Sequence, residues 1–213
     1  MKVVRVGDTV HRTWDSPYGD MAFVHELLDH LEGWPGAPRF LGFDEEGREV
    51  LTYLPGTHGP VTDASLVRAT TLVRELHDLT AGTPLAGDQE VVCHNDLSPA
   101  NTVFDGALPY GFIDWDLAAP GRRVHDVAHL CWQWLDLGPN IKDLAKTAER
   151  VRLIADTYGI TSRTELLETV LWWQERCADG IERAGIDKLI EAGVPAQVRA
   201  AREWTGAHLR QLT

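Results

Sequence analysis

The chain has 213 residues, of which 44% are hydrophobic, and its formal net charge is −12. A chain of this length and hydrophobic content can bury a substantial core, which excludes a disordered tail. Its negative charge repels phosphate backbones and attracts small cations, so we expect no nucleic-acid partner. The sequence shows no apolar run of signal-peptide or membrane-span length, so we expect a cytoplasmic protein that does not bind membranes.

The first part of the chain predicts the order hairpin, helix, hairpin. Val3–Val6 and Thr9–Arg12 flank a Gly-Asp turn, which is typical of a two-stranded hairpin. Residues 20–31 carry apolar side chains at helical spacing and predict an amphipathic helix. Residues 39–43 and 49–54 predict a second hairpin across an acidic, glycine-containing turn.

A further predicted helix, residues 64–79, precedes the most informative segment of the chain. A short apolar strand, residues 90–93, leads into the run His94-Asn95-Asp96-Leu97-Ser98-Pro99-Ala100-Asn101. Residues 101–104 and 110–113 then flank an Asp-Gly turn and predict a third hairpin, which ends in Ile113-Asp114-Trp115-Asp116. Because a hairpin brings its two ends together, we expect Asn101 and Asp114 to be neighbours.

The spacing of these polar residues indicates phosphoryl transfer from ATP. In protein kinases a catalytic Asp is followed after four residues by a metal-binding Asn, and a second metal-binding Asp lies downstream. Asp96, Asn101 and Asp114 keep this order and spacing. Asn and Asp are also common turn formers, but the spacing and the hairpin together favour a kinase site.

The remainder of the chain predicts an almost entirely helical region. Four helices are expected, with breaks at Gly-Pro, Gly-Ile and Gly-Val-Pro, over residues 126–137, 141–158, 162–184 and 196–212. Three acidic residues of the third helix, Glu175, Asp179 and Glu182, recur at helical spacing and form one acidic face. A solvated helix face is the alternative interpretation of this pattern.

The two motifs around Asp96 and Asp114 resemble those of the aminoglycoside phosphotransferase and choline kinase-like family, small-molecule kinases with the protein-kinase fold. As is usual there, the loop lacks the Arg of protein kinases, and the Trp115-Asp116 pair follows Asp114. The resemblance implies an α+β, two-lobed fold. Its small, β-containing N-terminal lobe and hinge would occupy residues 1–56, and its mostly helical C-terminal lobe residues 57–213.

The same resemblance implies roles for individual residues. Asp96 would be the catalytic base and Asn101 and Asp114 the Mg²⁺ ligands. His94 would support the catalytic loop, and so would Asp126, for which a helix N-cap is the structural alternative.

The nucleotide site implied by the resemblance lies in the small lobe, where the hinge residues Thr52, Tyr53 and Leu54 would meet the base of ATP or GTP. Typical members carry an earlier glycine-rich loop and a Lys that pairs with a helix Glu. The sequence starts after the position of such a loop, so a reduced small lobe is expected. Arg12 is the nearest match to the Lys, with Glu26 as its partner, although a solvent-facing Arg12 fits equally well.

Acceptor recognition is assigned to acidic residues, since family carboxylates near the catalytic Asp hold the ammonium groups of aminoglycosides. The candidates are Asp116, Asp136, Glu175, Asp179 and Glu182. We therefore expect an ATP- and Mg²⁺-dependent phosphotransferase that acts on a hydroxyl of a small molecule. An aminoglycoside, another amino sugar, a choline-like alcohol and the hydroxyl of another antibiotic are the acceptor candidates. The alternative is a catalytically degenerate kinase-like module that binds a nucleotide or a protein.

Overall fold

The computed structural model of the chain describes residues 3–14 and 19–213. The chain forms two compact units, the first ending at Arg123 and the second spanning Val124–Thr213. The predicted lobe boundary after Gly56 lies inside the first unit and stays a prediction.

The first unit contains a four-stranded antiparallel sheet with the strand order β1-β2-β4-β3, as far as its described residues go. Its strands are β1 (Val3–Val6), β2 (Thr9–Arg12), β3 (Phe40–Phe43) and β4 (Glu49–Thr52). Both predicted hairpins are confirmed. The pairing of β2 with β4 places Arg12 opposite Glu49, so these two side chains lie on the same face of the sheet.

Two helices of the first unit begin where polar side chains cap their first turn. The carboxylate of Asp20 accepts hydrogen bonds from the backbone N–H of Ala22 and Phe23 at the start of α1 (Met21–His30). Thr62 and Ser65 form a reciprocal capping box at the start of α2 (Asp63–Thr80). The predicted helices 20–31 and 64–79 are confirmed.

Among the described residues of the first unit, four further short strands flank the two motif segments. They are β5 (Val91–Cys93), β6 (Thr102–Asp105), β7 (Leu108–Phe112) and β8 (Ala119–Gly121). The predicted hairpin is formed by β6 and β7, and both β5 and β7 lie against α2. The pairing of β5 with β8 was not predicted, because the Ala-Pro-Gly sequence of β8 has a low strand propensity.

The described residues of the second unit are helical apart from their connections. The helices are α3 (Arg123–Leu135), which begins at the unit boundary, α4 (Leu144–Tyr158), α5 (Arg163–Ala184), α6 (Asp187–Glu191), α7 (Val194–Ala207) and α8 (Leu209–Leu212). The helical prediction is confirmed, although α3 begins three residues earlier and ends two residues earlier than the predicted helix 126–137. Two further boundaries need correction. None of the helices in the described residues is long and apolar enough to span a membrane.

The first correction concerns α4, which starts after residue 141 because the Asp143 side chain caps the N–H of Lys146 at 2.9 Å. The second concerns the predicted helix 196–212, which is interrupted at His208. There the imidazole stacks on Trp204 with 4.3 Å between ring centroids, and its Nδ1 lies 2.8 Å from the Trp204 carbonyl oxygen. The short helix α6 was not predicted.

Candidate active site

His94 is fully buried and begins the loop, residues 94–101, directly after β5. Its ring centroid lies 4.5 Å from that of Trp115 and 5.8 Å from that of Phe112. Its Nδ1 accepts a hydrogen bond from the backbone N–H of Asp96 at 3.3 Å. His94 therefore connects the aromatic core of the first unit to the backbone of Asp96, and its supporting role in catalysis stays a prediction.

Asn95 and Asp114 both have a backbone φ of 65°, in the left-handed region. Among the described residues other than glycine, only one more has a positive φ. Asn and Asp tolerate this region better than other side chains do, and such backbone conformations are often found at functional sites. The Asn95 side-chain amide donates to the carbonyl of Leu117 at 2.9 Å, which holds this turn against the segment that follows Asp114.

Asn101 lies beside Asp96 at the other end of the loop. A 3₁₀ turn, Pro99–Asn101, is capped by the Ser98 hydroxyl, which accepts from the Asn101 N–H at 3.3 Å. The Asn101 side-chain amide donates to the carboxylate of Asp96 at 2.7 Å and to its carbonyl at 3.1 Å. Since the amide nitrogen is used in this way, the amide oxygen is the atom left to face a cation.

The β6–β7 hairpin brings Asn101 and Asp114 together, as predicted. The N–H of Ile113 donates to the carbonyl of Asn101 at 2.9 Å, immediately beyond the last ladder pair, Thr102 with Phe112. Asp114 follows, with 39% of its side chain exposed. The two residues are thus neighbours along the backbone ladder, and the convergence of their side-chain oxygens on one cation stays a prediction.

Arg12 points to the carboxylates of Glu49, Asp114 and Asp116, and only 6% of its side chain is exposed. The alternative of a solvent-facing Arg12 is therefore wrong. Its Nη2 lies 2.6 Å from Oδ1 of Asp116, and its Nη1 lies 3.5 Å from Oδ1 of Asp114. Its Nε donates to the carboxylate of Glu49. The expected partner, Glu26, is exposed. Helix α1 reaches this network through His25 instead.

The His25 Nε2 lies 2.7 Å from Oε1 of Glu49, the second oxygen of the carboxylate that accepts from Arg12. Neither Glu49 nor His25 was predicted as a site residue. Glu49 is a lone charge in an otherwise apolar strand segment, Glu49–Thr52, and this was the one available signal in the sequence.

Burial and the attraction between opposite charges shift the pKa values of this network in opposite directions. Burial lowers the pKa of Arg12, but the hydrogen bond and charge of Glu49, together with Asp116, outweigh it and raise that pKa. Burial raises the pKa of Asp116, and the attraction of Arg12 only partly compensates. Three carboxylates around one guanidinium leave two negative charges when all are ionised. Such an oxygen-rich, negatively charged donor set fits Mg²⁺.

The predicted hinge residues have different surroundings. Thr52 and Leu54 line a cavity of about 610 Å³ together with Trp34, Arg39 and Tyr110. Arg12, Asp96, Asn101 and Asp114 are not part of its described lining.

Tyr53 has its ring 3.7 Å from the guanidinium carbon of Arg5, and its N–H donates to the carbonyl of Asp8 at 2.8 Å. Arg5 was not predicted as a neighbour of the hinge, since it lies in a different strand.

Two predicted residues lie near the ends of α3. Asp126 is fully buried in the first turn of the helix. Asp136 is exposed just beyond the last turn, with φ 48°. The adjacent N–H of Leu137 donates back to the carbonyl of Trp132 at 3.1 Å, so Asp136 occupies a helix-terminating position.

The acidic residues of α5 are paired with arginines of α7. Arg199 lies 2.6 Å from Glu182 and 3.2 Å from Asp179, and Arg202 lies 3.2 Å from Glu175. The predicted acidic face is therefore partly neutralised by arginines, and its part in acceptor recognition stays a prediction.

The small antiparallel sheet with its helix, the loop that carries Asp96 and Asn101, and the hairpin that ends at Asp114 define a kinase-like fold. Residues 16–149 match the phosphotransferase enzyme family, APH. The chain belongs to this family. It is 32% identical, over 192 residues, to the trifolitoxin immunity protein of Rhizobium leguminosarum bv. trifolii, covering 76% of the chain and 71% of that relative.

Solved structures share the fold at low sequence identity. One is a choline/ethanolamine kinase family protein from Mesorhizobium loti, with a TM-score of 0.60 and 17% identity over 99% of this chain and 84% of that one. Another is APH(2″)-IIa in a ternary complex with streptomycin and ATP, with a TM-score of 0.58 and 16% identity over 89% of this chain and 90% of that one.

Proposed function

We propose that the chain is an ATP- or GTP- and Mg²⁺-dependent phosphotransferase that phosphorylates a hydroxyl of a small, cationic molecule. The observation that carries the proposal is the placement of Asp96, Asn101 and Asp114 on one loop and one hairpin, with Arg12 against the last of them. Membership of the phosphotransferase family supports the reaction class.

Asp96 would act on the acceptor. Its carboxylate orients the acceptor hydroxyl and accepts its proton while the hydroxyl oxygen bonds to the γ-phosphorus. The bond from that phosphorus to the bridging oxygen breaks, and the nucleoside diphosphate leaves. The amide of Asn101 at 2.7 Å and the backbone contact to His94 hold the carboxylate in position for this step.

The triphosphate would lie beside Arg12 and Asp114. Mg²⁺ held by Asn101 and Asp114 would neutralise the charge of the phosphate oxygens. The donors of Arg12 that do not face carboxylates are able to bind phosphate oxygens.

The acceptor class is proposed from net charge and from similar proteins. A net charge of −12 favours a cationic molecule. Structures that share the fold include a choline/ethanolamine kinase family protein and a complex with streptomycin. We therefore propose an aminoglycoside or another amino alcohol. Asp116 and the α5 acids are weaker candidates for its recognition, because all of them already form ion pairs with arginines.

A second candidate is a kinase-like module that binds nucleotide without transferring phosphate. It is favoured by the engagement of Arg12 with three carboxylates. The similarity to a toxin immunity protein is compatible with either an enzymatic or a binding role.

Transfer of labelled γ-phosphate to a panel of acceptors tests the proposal. The panel contains streptomycin, gentamicin, choline, ethanolamine and an uncharged polyol, each with ATP or GTP and Mg²⁺. We expect one cationic acceptor to be labelled and Asp96→Asn to lower the rate by about 10²–10⁴-fold, since it loses its base. Nucleotide binding by the variant, measured by calorimetry, should be nearly unchanged. Nucleotide binding without labelling of any acceptor would favour the second candidate, and equal rates for variant and parent would refute the role of Asp96.

A further inference from the structure

The guanidinium of Arg12 lies among three carboxylates, whose negative charges favour a cation at this position. Its three nitrogens each face a different carboxylate, namely Glu49, Asp114 and Asp116. One of these, Asp114, is the proposed metal ligand, and its Oδ1 is 3.5 Å from Nη1. A divalent ion bound to Asp114 would therefore lie close to a fixed positive charge.

The position of Arg12 is held from several sides. Glu49 is completely buried and has its second oxygen 2.7 Å from His25, so this carboxylate is fixed to both β2 and α1. The Asp116 side chain is 13% exposed. Gly19 passes so close to Asp116 that a Cβ added there would lie 2.0 Å from the Asp116 carbonyl oxygen. The Trp14 ring lies 5.5 Å from the guanidinium carbon.

The total charge of the cluster formed by Arg12, Glu49, Asp114 and Asp116 determines how many cations the cluster can hold. Three carboxylates and one guanidinium sum to −2, which a single divalent ion neutralises. Without the guanidinium the sum would be −3, and a second ion would be favoured. Between unit charges a few ångströms apart at a partly buried site, such differences amount to several-fold or larger changes in affinity.

We propose that Arg12 takes the place of a second divalent cation beside Asp114, so that the site holds one Mg²⁺ per chain. The inference rests on the proposed function in one respect only, the assignment of Asp114 as a metal ligand. It makes Arg12 the residue that determines metal stoichiometry, and Glu49 and Asp116 the residues that position Arg12. Asp116 then serves the metal site in place of the acceptor.

Binding of Mn²⁺ alone, followed by electron paramagnetic resonance, tests this inference without nucleotide or acceptor. We expect Arg12→Met to bind Mn²⁺ on the order of tenfold more tightly than the parent, with a second ion at saturation, because a repelling charge is lost. Arg12→Lys should keep the parent's affinity and stoichiometry, since it keeps the charge. Asp116→Asn should bind Mn²⁺ more weakly, because it removes a carboxylate.

Arg5→Met is the matched control, because it removes an arginine of the same sheet that is exposed and stacked on Tyr53. Unchanged Mn²⁺ affinity in Arg12→Met, or an equal gain in Arg5→Met, would overturn the inference. Arg12→Met leaves buried Glu49 without its arginine, so Arg12→Gln, whose amide can still donate to Glu49 and which also leaves a cluster charge of −3, serves if Arg12→Met fails to fold. It too should bind Mn²⁺ more tightly than the parent.

The outcomes separate this inference from the proposed function. A parent that binds one Mn²⁺ through Asp114 but phosphorylates no acceptor would leave the inference intact and refute the enzyme. A parent that phosphorylates an acceptor while Arg12→Met shows no gain in Mn²⁺ binding would support the enzyme and refute this inference.

Discussion

Asp114 combines a left-handed backbone, φ 65°, with an ion pair to a buried arginine. The left-handed turn directs the chain out of β7 towards Trp115, whose indole N–H donates to the carbonyl of Phe112 at 3.0 Å. An Asp tolerates this conformation, and its carboxylate is the kind of ligand that Mg²⁺ prefers. Backbone geometry and metal chemistry therefore favour the same residue at this position.

Asp114→Asn separates the two properties, because Asn tolerates the left-handed region but carries no charge. We expect the variant to fold with a melting temperature near that of the parent and to lose Mg²⁺-dependent nucleotide binding. Calorimetric titration with ATP, with Mg²⁺ and with chelator, measures this loss. Asp88→Asn, at an exposed position ahead of β5 and outside the lining of the cavity at Thr52 and Leu54, is the control and should bind as the parent does. Unaltered Mg²⁺ dependence in Asp114→Asn would contradict its role as a ligand.

One carboxylate, that of Asp44, holds together the turn of the β3–β4 hairpin. Its Oδ1 accepts from the backbone N–H of Glu46 and of Arg48, each at 2.9 Å. Its Oδ2 is 2.7 Å from Nδ1 of His11 and 2.7 Å from Nε of Arg48. The hydrogen bond to His11 contributes most to lowering the pKa of Asp44 far below its ordinary value, against the opposing effect of burial.

This shift predicts a pH-dependent stability of the hairpin. Because the folded-state pKa lies below the unfolded one, the ionised carboxylate stabilises the fold above the ordinary pKa of about 4. That stabilisation is lost progressively as the pH falls below this value. Asp44→Asn should therefore lower the melting temperature at pH 7 and differ less from the parent in acid.

Thermal unfolding followed by circular dichroism between neutral and acidic pH measures the difference. Glu45→Gln removes the same charge from an exposed position of the turn and should leave the melting temperature nearly unchanged. A constant difference between Asp44→Asn and the parent at every pH would contradict the linkage.

The proposed catalytic groups are distributed unevenly between the two units of the molecule. Arg12, Asp96, Asn101 and Asp114 all belong to the first unit. The second unit contributes the buried Asp126 and the ion pairs that join α5 to α7. Since those carboxylates face arginines, attraction of a cationic acceptor would come mainly from the net charge of −12.

An attraction of this kind is sensitive to salt. The screening length falls from about 10 Å at 0.1 M to about 3 Å at 1 M ionic strength. We expect kcat/KM for a cationic acceptor to fall as salt is raised and kcat to change less. Steady-state kinetics at several salt concentrations, with an uncharged polyol as the comparison acceptor, measures the effect. Equal salt dependence for both acceptors would exclude steering by net charge.

Local features of the chain could be predicted where neighbouring residues decide the structure. The hairpins follow from short strand-forming runs around Gly-Asp and Asp-Gly turns, and helices α1 and α5 begin at the polar caps Asp20 and Ser162. Strand β8 escaped prediction because its pairing with β5, and not its own propensity, creates it.

The partners of the charged residues could not be predicted in the same way. Arg12 and Glu49 are separated by 37 positions, and they meet only because β2 pairs with β4 in a particular register. The predicted pairing of Arg12 with Glu26 relied on proximity in sequence and on a family pattern. The acidic residues of α5 were assigned to solvent or to substrate. Their arginine partners lie on α7, and α7 meets α5 only through a tertiary contact.

The sequence alone determined the order and spacing of Asp96, Asn101 and Asp114, because a loop and a tight hairpin are local structures set by adjacent residues. It also determined the succession of strands and helices, since capping and hydrophobic periodicity act over a few positions. Only the tertiary structure decided which cation faces which carboxylate, because ion pairs join residues that packing and strand register bring together from distant positions.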